Sequence, residues 1–213
     1  MQNASEAGDK LGNGTTDLSL ERAPDIVEAM NALEPDKAAA MLRSLPAEKA
    51  IEVLDLPGLA NTCEILAELP QDAAVSLLSG VSDDRAADIF KELVEPLRTT
   101  LLNGLNPETR NVISGLLAYP ERSAGSIMTT EFVSVPANWT IAEVLHHIRM
   151  VERTRETVYS IFVVDPAKKT LIQAVPLRRL ISADPHANVL TAAPARKPLM
   201  ISPEADRMEA ARL

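Results

Sequence analysis

Residues 33–54 read LEPDKAAAMLRSLPAEKAIEVL, and this stretch decides the first half of the fold. It contains two related segments, LEPDKAA from Leu33 and LPAEKAI from Leu45, whose starts lie twelve residues apart. The pattern recurs at multiples of twelve as LPQDAAV from Leu69, VSDDRAA from Val81 and LNPETRN from Leu105, with weaker matches LPGLANT and LVEPLRT between them. A fixed internal period of this kind predicts a repeat architecture.

Each repeat has the pattern of a short helix between two turns. Proline or Ser-Asp stands at the start of each helix, where a missing backbone N–H does no harm. Acidic residues follow in the first turn, where their negative charge interacts favourably with the positive end of the helix dipole. Helices of about nine residues are marginal alone and must stack on their neighbours. The period therefore predicts a right-handed superhelix of short α-helices over residues 24–119, preceded by a flexible tail over residues 1–23.

After Tyr119-Pro120 the pattern changes from helical repeats to alternating strands and helices. FVSVP (132–136), YSIFVVD (159–165) and LIQAV (171–175) are typical of strands. TIAEVLHHIRMV (140–151) begins with a Thr140–Glu143 capping box, and PLRRLIS (176–182) begins a further helix. We therefore expect a small α/β module over residues 120–190.

The last residues, 191–213, look like the start of a second such module. An Ala- and Pro-rich linker is followed by LMISP (199–203), which is typical of a strand, and by ADRMEAARL (205–213), which is typical of a helix. One strand and one helix cannot build a core of their own, so we expect the chain to stop inside this second module.

Composition and charge exclude several classes of function. The 213 residues are 46% hydrophobic and 24% charged, with a net charge of −9 that argues against nucleic-acid binding. No apolar run is long enough to insert into a membrane, and the single Cys63, read as a small buried apolar residue, excludes a disulfide framework. No arrangement of residues indicates an enzyme. The charge is uneven, because residues 1–120 hold 20 acidic and 9 basic residues.

Three motifs resemble the cytoplasmic part of MgtE-type magnesium channels, in that family's order and spacing. They are YPERSAGSIMTTEFVSVPANWTIAEVLHHIR (119–149), ETVYSIFVVD (156–165) and PLRRLISADP (176–185). The resemblance covers residues 24–213. It implies an acidic N domain (24–119), one complete cystathionine-β-synthase (CBS) domain (120–190) and the opening of a second CBS domain (191–213).

The resemblance also implies a function. It implies a regulatory region on the cytosolic face of the inner membrane, where Mg²⁺ draws the acidic N domain and the CBS domain together and so closes a transmembrane pore domain. Acids without a compensating cation repel each other, which agrees with opening when Mg²⁺ is scarce. CBS modules pair, so we also expect a homodimer.

The resemblance to that family implies seven candidate metal ligands. Asp84 and Asp88 lie four residues apart and therefore on one helix face, and Mg²⁺ can be held by one or two carboxylates together with water. The resemblance adds Glu52, the backbone carbonyl of Gly125, and the acids Glu204, Asp206 and Glu209. Each has an ordinary alternative as a solvated surface acid, a helix-start acid or, for Gly125, a turn glycine.

Two residues match positions that contact ATP in the family, namely Tyr159 and Arg178. One departure puts nucleotide binding in doubt. Where the family has Ser-Leu-Arg-Asp, with the aspartate holding the ribose, this chain has Pro176-Leu177-Arg178-Arg179. ATP is therefore an open alternative to Mg²⁺ as the sensed ligand.

A second alternative is a protein-interaction scaffold, because stacked short helices also resemble domains of the flagellar rotor protein FliG. In that case the acids are ordinary surface residues. His146 and His147 are adjacent on a predicted helix and point in different directions, so we do not expect a zinc site.

Overall fold

The twelve-residue period appears in the structure as a series of short helices. A computed structural model describes residues 21–151 and 158–213 of the chain. It divides into two compact units between Leu117 and Ala118. Most of the tail predicted for residues 1–23, and the first two residues of the ETVYSIFVVD motif, lie outside the described residues.

The described part of the first unit contains eight helices. They are α1 (Ala23–Asn31), α2 (Pro35–Ser44), α3 (Ala47–Asp55), α4 (Thr62–Ala67), α5 (Gln71–Leu78), α6 (Asp83–Glu92), α7 (Leu97–Gly104) and α8 (Pro107–Leu117). Each helix packs on the second helix after it, from α1 on α3 to α6 on α8. The superhelix of short helices expected from the repeat is confirmed.

Small side chains at one repeat position allow these helices to approach each other closely. Ala38, Ala50, Ala74 and Ala86 are spaced by twelve or twenty-four residues, and all are at most 2% exposed. Glycines allow the same close approach between alternate helices. A Cβ on Gly80 would touch Ile51, and a Cβ on Gly104 would touch Val75. In both cases the contacted residue lies 29 positions earlier in the sequence. Alanine and glycine at these positions therefore let the short helices pack closely around a core of mainly aliphatic side chains.

Two repeats depart from the expected helix starts. The helices of the strong repeats begin at residues 35, 47, 71, 83 and 107, but α4 and α7 begin only at Thr62 and Leu97. In the first case Pro57-Gly58 starts a turn that continues to Asn61, whose φ of 52° is left-handed. The Asn31 side chain holds this turn by donating to Gly58 O (2.8 Å) and accepting from Ala60 N (2.8 Å).

The second unit has the expected order of strands and helices around a three-stranded sheet. Its elements are β1 (Val133–Pro136), α9 (Ile141–Val151), β2 (Ser160–Val164), β3 (Leu171–Pro176) and α10 (Leu177–Ser182). The sheet order is β1-β2-β3, with β1 parallel and β3 antiparallel to β2. The residues Val135, Val163 and Val175 are fully buried on the face that packs with α9 and α10.

The end of the chain differs from the expectation. Residues 199–203 form no strand, and the predicted terminal helix is reduced to α11 (Arg207–Ala210). The predicted strand LMISP was wrong, because residues 199–203 do not pair with the sheet β1-β2-β3. Cys63 also differs, since it is only partly buried. Burial and the nearby Glu92 and Glu64 raise the pKa of its thiol.

The start of α9 confirms the predicted capping box. The backbone N and the Oγ1 of Thr140 both donate to Glu143 Oε2, at 2.7 and 2.8 Å, and Glu143 N donates to Thr140 Oγ1 at 3.3 Å. These hydrogen bonds, the backbone one above all, lower the pKa of the Glu143 carboxyl below its ordinary value of 4.5. The ionised carboxylate therefore stabilises the folded second unit.

We expect Glu143→Gln to reduce the stability of the second unit in a pH-dependent way. A lowered folded pKa contributes stability above the unfolded pKa near 4.5, and this contribution is lost as pH falls through the folded pKa. The difference between the two proteins should therefore be largest near neutral pH and vanish in acid. Urea unfolding followed by Trp139 fluorescence measures it. A difference that stays constant down to pH 3 would contradict the assignment.

In the residues that the structure describes, no helix is both long enough and apolar enough to cross a lipid bilayer.

Candidate functional site

Asp84 and Asp88 lie on α6 but have different surroundings. Asp84 is in the first turn and half-buried, and its Oδ1 is buried with no hydrogen-bond partner among the described residues. Asp88 lies one turn later with its side chain 57% exposed, and it accepts a hydrogen bond of 2.7 Å from Lys91 Nζ. Asp84 thus presents the more unusual environment, because a buried carboxylate oxygen is normally paired.

Asp84 is positioned by contacts between the start of α6 and the end of α3. Asp55 Oδ1 accepts hydrogen bonds from Ser82 N (2.9 Å) and Ser82 Oγ (2.7 Å). In the opposite direction, Arg85 donates to Leu54 O (3.2 Å) and Leu56 O (3.4 Å). Ser82 and Arg85, on either side of Asp84, are therefore both hydrogen-bonded to the C-terminal end of α3.

The sequence analysis did not identify Asp55 and Arg85 as the residues that position Asp84, although the sequence carries one signal for Asp55. Asp55 is the last residue of α3, and an acid at a helix C-terminus is unfavourable there. Such a residue indicates a partner elsewhere in the fold, which is Ser82. Nothing in the sequence pattern identifies Arg85 as the second half of the pair.

Glu52 lies on the exposed surface of α3. Its carboxylate accepts from Lys49 Nζ at 2.7 Å, and its side chain is 55% exposed. The two candidate ligands Glu52 and Asp88 thus share one feature, an ion pair with a lysine three residues away.

The second unit brings together candidate ligands that are far apart in sequence. Residues 203–207 run beside residues 122–125, where Ala124 N donates to Ala205 O, Gly125 N to Pro203 O and Arg207 N to Arg122 O, each at 2.7 Å. This places Gly125 next to the segment that carries Glu204, Asp206 and Glu209. All three acids are exposed, and Asp206 also caps α11 by accepting from Met208 N at 2.7 Å.

Gly125, whose backbone carbonyl is a candidate ligand, also occupies a position where packing leaves no room for a side chain. Its φ is not in the left-handed region, so an ordinary residue could adopt the backbone conformation. A Cβ there would lie 2.6 Å from the Tyr119 ring and 3.0 Å from Pro203 O. Close approach, rather than a special backbone angle, therefore explains this glycine.

No group of three or more histidine, cysteine, aspartate or glutamate side chains in the described parts of the chain is arranged to hold a metal ion. His146 and His147 follow each other on α9, and His147 packs edge-on against Trp139 with ring centroids 5.4 Å apart.

Tyr159 and Arg178 lie near each other, because Leu177 N, at the start of α10, donates to Tyr159 O at 2.9 Å. Tyr159 is 80% exposed and Arg178 is also exposed. The adjacent Arg179 donates through Nη1 to Ala193 O (3.1 Å) and Ala192 O (3.5 Å). Its guanidinium thus holds the linker that follows the CBS-like module.

Comparison with known proteins identifies both units. Residues 21–122 match the MgtE intracellular N domain and residues 124–186 match the CBS domain. The crystal structure of the cytosolic domain of the Mg²⁺ channel MgtE in complex with ATP has a TM-score of 0.84 and 31% identity. It covers 98% of this chain, which in turn covers 87% of it.

Two further relatives agree with these matches. The crystal structure of the soluble part of a magnesium transporter has a TM-score of 0.82 at 25% identity, covering 98% of this chain and 82% of that one. The magnesium transporter MgtE of Thermus thermophilus is 42% identical over 84 residues, or 39% of this chain. Those residues make up only 18% of that transporter's length. The chain therefore belongs to the MgtE family and carries that family's intracellular N domain followed by a CBS domain.

Proposed function

We propose that this chain is the Mg²⁺-sensing, cytosolic regulatory region of a magnesium transporter or channel, acting on a transmembrane pore domain of the same family. Its solved relative is a cytosolic domain of a Mg²⁺ channel and spans nearly the same residues. All three relatives named above are magnesium transport proteins or parts of them, and we propose no enzymatic activity. Pairing of CBS modules into a homodimer is a further part of this proposal.

The observation that carries the proposal is the unpaired carboxylate oxygen of Asp84. Burying a charged oxygen without a donor is costly, and a bound cation removes that cost. Asp88 lies one turn away on the same helix. Mg²⁺ prefers oxygen ligands, keeps several of its waters and is often bound by one or two carboxylates, so we propose Asp84 and Asp88 as its ligands.

The lysine partners of the exposed acids are compatible with such a site. In the pairs Lys91–Asp88 and Lys49–Glu52 the carboxylates are 57% and 55% exposed and the lysines 32% and 21% exposed. Ion pairs at the protein surface contribute only about 0–1 kcal/mol. A divalent ion can therefore replace lysine at these carboxylates at low cost. On the second unit we propose the carbonyl of Gly125 and the acids Glu204, Asp206 and Glu209 as ligands.

Gating follows from charge compensation. With Mg²⁺ bound, the acids of the N domain are neutralised and the domain associates with the CBS domain, which closes the pore. Without Mg²⁺ the uncompensated acids repel each other and the association is lost.

Mg²⁺ at 10 mM is expected to raise the melting temperature of this chain, and Asp84→Asn/Asp88→Asn should abolish the rise. A ligand that binds only the folded state with a Kd of about 1 mM stabilises it by roughly 1.4 kcal/mol at this concentration. For a chain of this size that corresponds to about 3–6 °C. Thermal unfolding followed by circular dichroism measures the shift.

The matched control is Asp36→Asn/Asp72→Asn. Asp36 and Asp72 are exposed acids in the first turns of α2 and α5, so this variant changes the charge by the same amount. It should keep the full Mg²⁺ response. A rise that NaCl of equal ionic strength reproduces, or that the control also loses, contradicts specific binding and favours the scaffold alternative.

ATP is not part of the proposed function. The solved relative was crystallised with ATP, but at the position of the family's ribose-binding aspartate this chain carries Arg179, which donates to backbone carbonyls. The residues there supply no carboxylate for a ribose hydroxyl. Nucleotide binding through Tyr159 and Arg178 therefore stays the alternative prediction that the family resemblance implies.

A further inference from the structure

Residues 122–125 form a short irregular segment at the beginning of the second unit. Arg122 has a left-handed φ of 72°, an uncommon conformation for a residue with a side chain. Ser123, Ala124 and Gly125 are all buried. Buried backbone polar groups need partners, and a regular helix or strand does not supply them here.

The missing partners come from a segment about 80 residues later. Ala124 N, Gly125 N and Arg207 N make the three hydrogen bonds of 2.7 Å already described, and Ser123 and Asp206 form an antiparallel bridge. These distances are at the short end of the range for N–H···O bonds. The Arg122 carbonyl accepts one of the three, so the left-handed residue is held directly.

Packing reinforces the same contact. The Gly125 Cα lies against the Tyr119 ring and against the carbonyl of Pro203, with no room for a Cβ. The 3₁₀ turn Gly125–Ile127 and α11 are also in contact. The buried residues 123–125 thus lie against the segment 203–210, whereas Arg122 and Ile127 are exposed.

We propose that residues 203–207 act as a backbone clip that sets the conformation of residues 122–125 and thereby positions Gly125 beside Glu204 and Asp206. Pro203 and Arg207 are its positioning residues, and both act through main-chain groups. The statement about ligands depends on the proposed Mg²⁺ function, whereas the clip itself does not. Ligands arranged before the ion arrives lose less conformational freedom on binding, so the clip raises Mg²⁺ affinity.

Arg207→Pro removes one clip hydrogen bond with little other change. Arg207 is the first residue of α11, a position at which proline is well tolerated. Asp206, with φ −63° and ψ 136°, already has the extended conformation required before proline. Arg207→Ala is the matched control, because it removes the same side chain and charge but keeps the N–H.

Hydrogen exchange measured by NMR without Mg²⁺ tests the clip. We expect the amides of Ala124 and Gly125 to exchange at least tenfold faster in Arg207→Pro than in Arg207→Ala, while the amide of Val163 in β2 is unchanged. A chain ending at Ser202 removes all three bonds and should show the same effect more strongly. Unchanged exchange at Ala124 and Gly125 in either variant overturns the clip.

The Mg²⁺ response separates this inference from the proposed function. If both hold, Arg207→Pro shows a smaller Mg²⁺-dependent rise in melting temperature than Arg207→Ala. If the natural sequence shows no rise but the exchange data show the clip, the sensing function fails and the clip stands. If the natural sequence responds but exchange is unaltered, the clip fails and the sensing function stands.

Discussion

Replacing Phe90 by alanine is expected to lower the free energy of unfolding of the first unit by about 3–5 kcal/mol. Phe90 is completely buried on α6, which packs against both α4 and α8. Removing the ring loses its burial and leaves a cavity between short helices that are not stable alone. An effect of this size is a large part of the stability of a small domain.

Urea unfolding with two probes measures this effect. Circular dichroism at 222 nm follows mainly the helices of the first unit, whereas the only tryptophan, Trp139, lies in the second unit. We expect only the circular dichroism transition to shift. The control is Val94→Ala, because Val94 is 74% exposed and should change stability by no more than about 0.5 kcal/mol. A loss below about 1.5 kcal/mol for Phe90→Ala would contradict the packing described.

Gly125→Ala is expected to destabilise the second unit by about 1–3 kcal/mol, as inserting an atom into a filled space typically does. The added Cβ would meet the Tyr119 ring at 2.6 Å and the main-chain carbonyl of Pro203 at 3.0 Å. An aromatic ring on one side and backbone on the other cannot both yield easily. The change should therefore separate residues 203–207 from residues 122–125.

The readout is urea unfolding, followed by Trp139 fluorescence for Gly125→Ala and by circular dichroism at 222 nm for the control Gly115→Ala, which lies in the first unit. An alanine Cβ at Gly115 meets nothing within 4 Å, and Gly115 lies inside α8. Alanine there should raise stability by roughly 0.5–1 kcal/mol, because it restricts the unfolded chain more than glycine does. If both variants changed stability alike, the effect at Gly125 would be one of backbone freedom and not of close approach.

Local patterns in the sequence were sufficient to predict most of the elements. The starts of α2, α3, α5, α6 and α8 follow from the repeat, and the capping box marks the start of α9. The late starts of α4 and α7 could not be predicted, because they depend on contacts such as that of Asn31 with the turn at Gly58. The candidate acids were found through family resemblance, which carries no information on their surroundings.

By itself the sequence determined the two kinds of architecture, because a twelve-residue period and an alternating apolar pattern are properties of adjacent residues. Only the tertiary structure decided which Asp84 oxygen is buried without a partner, and that Asp55 and Arg85 hold the backbone around it. Only the tertiary structure placed Gly125 beside residues 203–207. These features join residues about 30 to 80 positions apart, and the choice between such partners is made by packing and hydrogen bonding in the folded chain rather than by local preference.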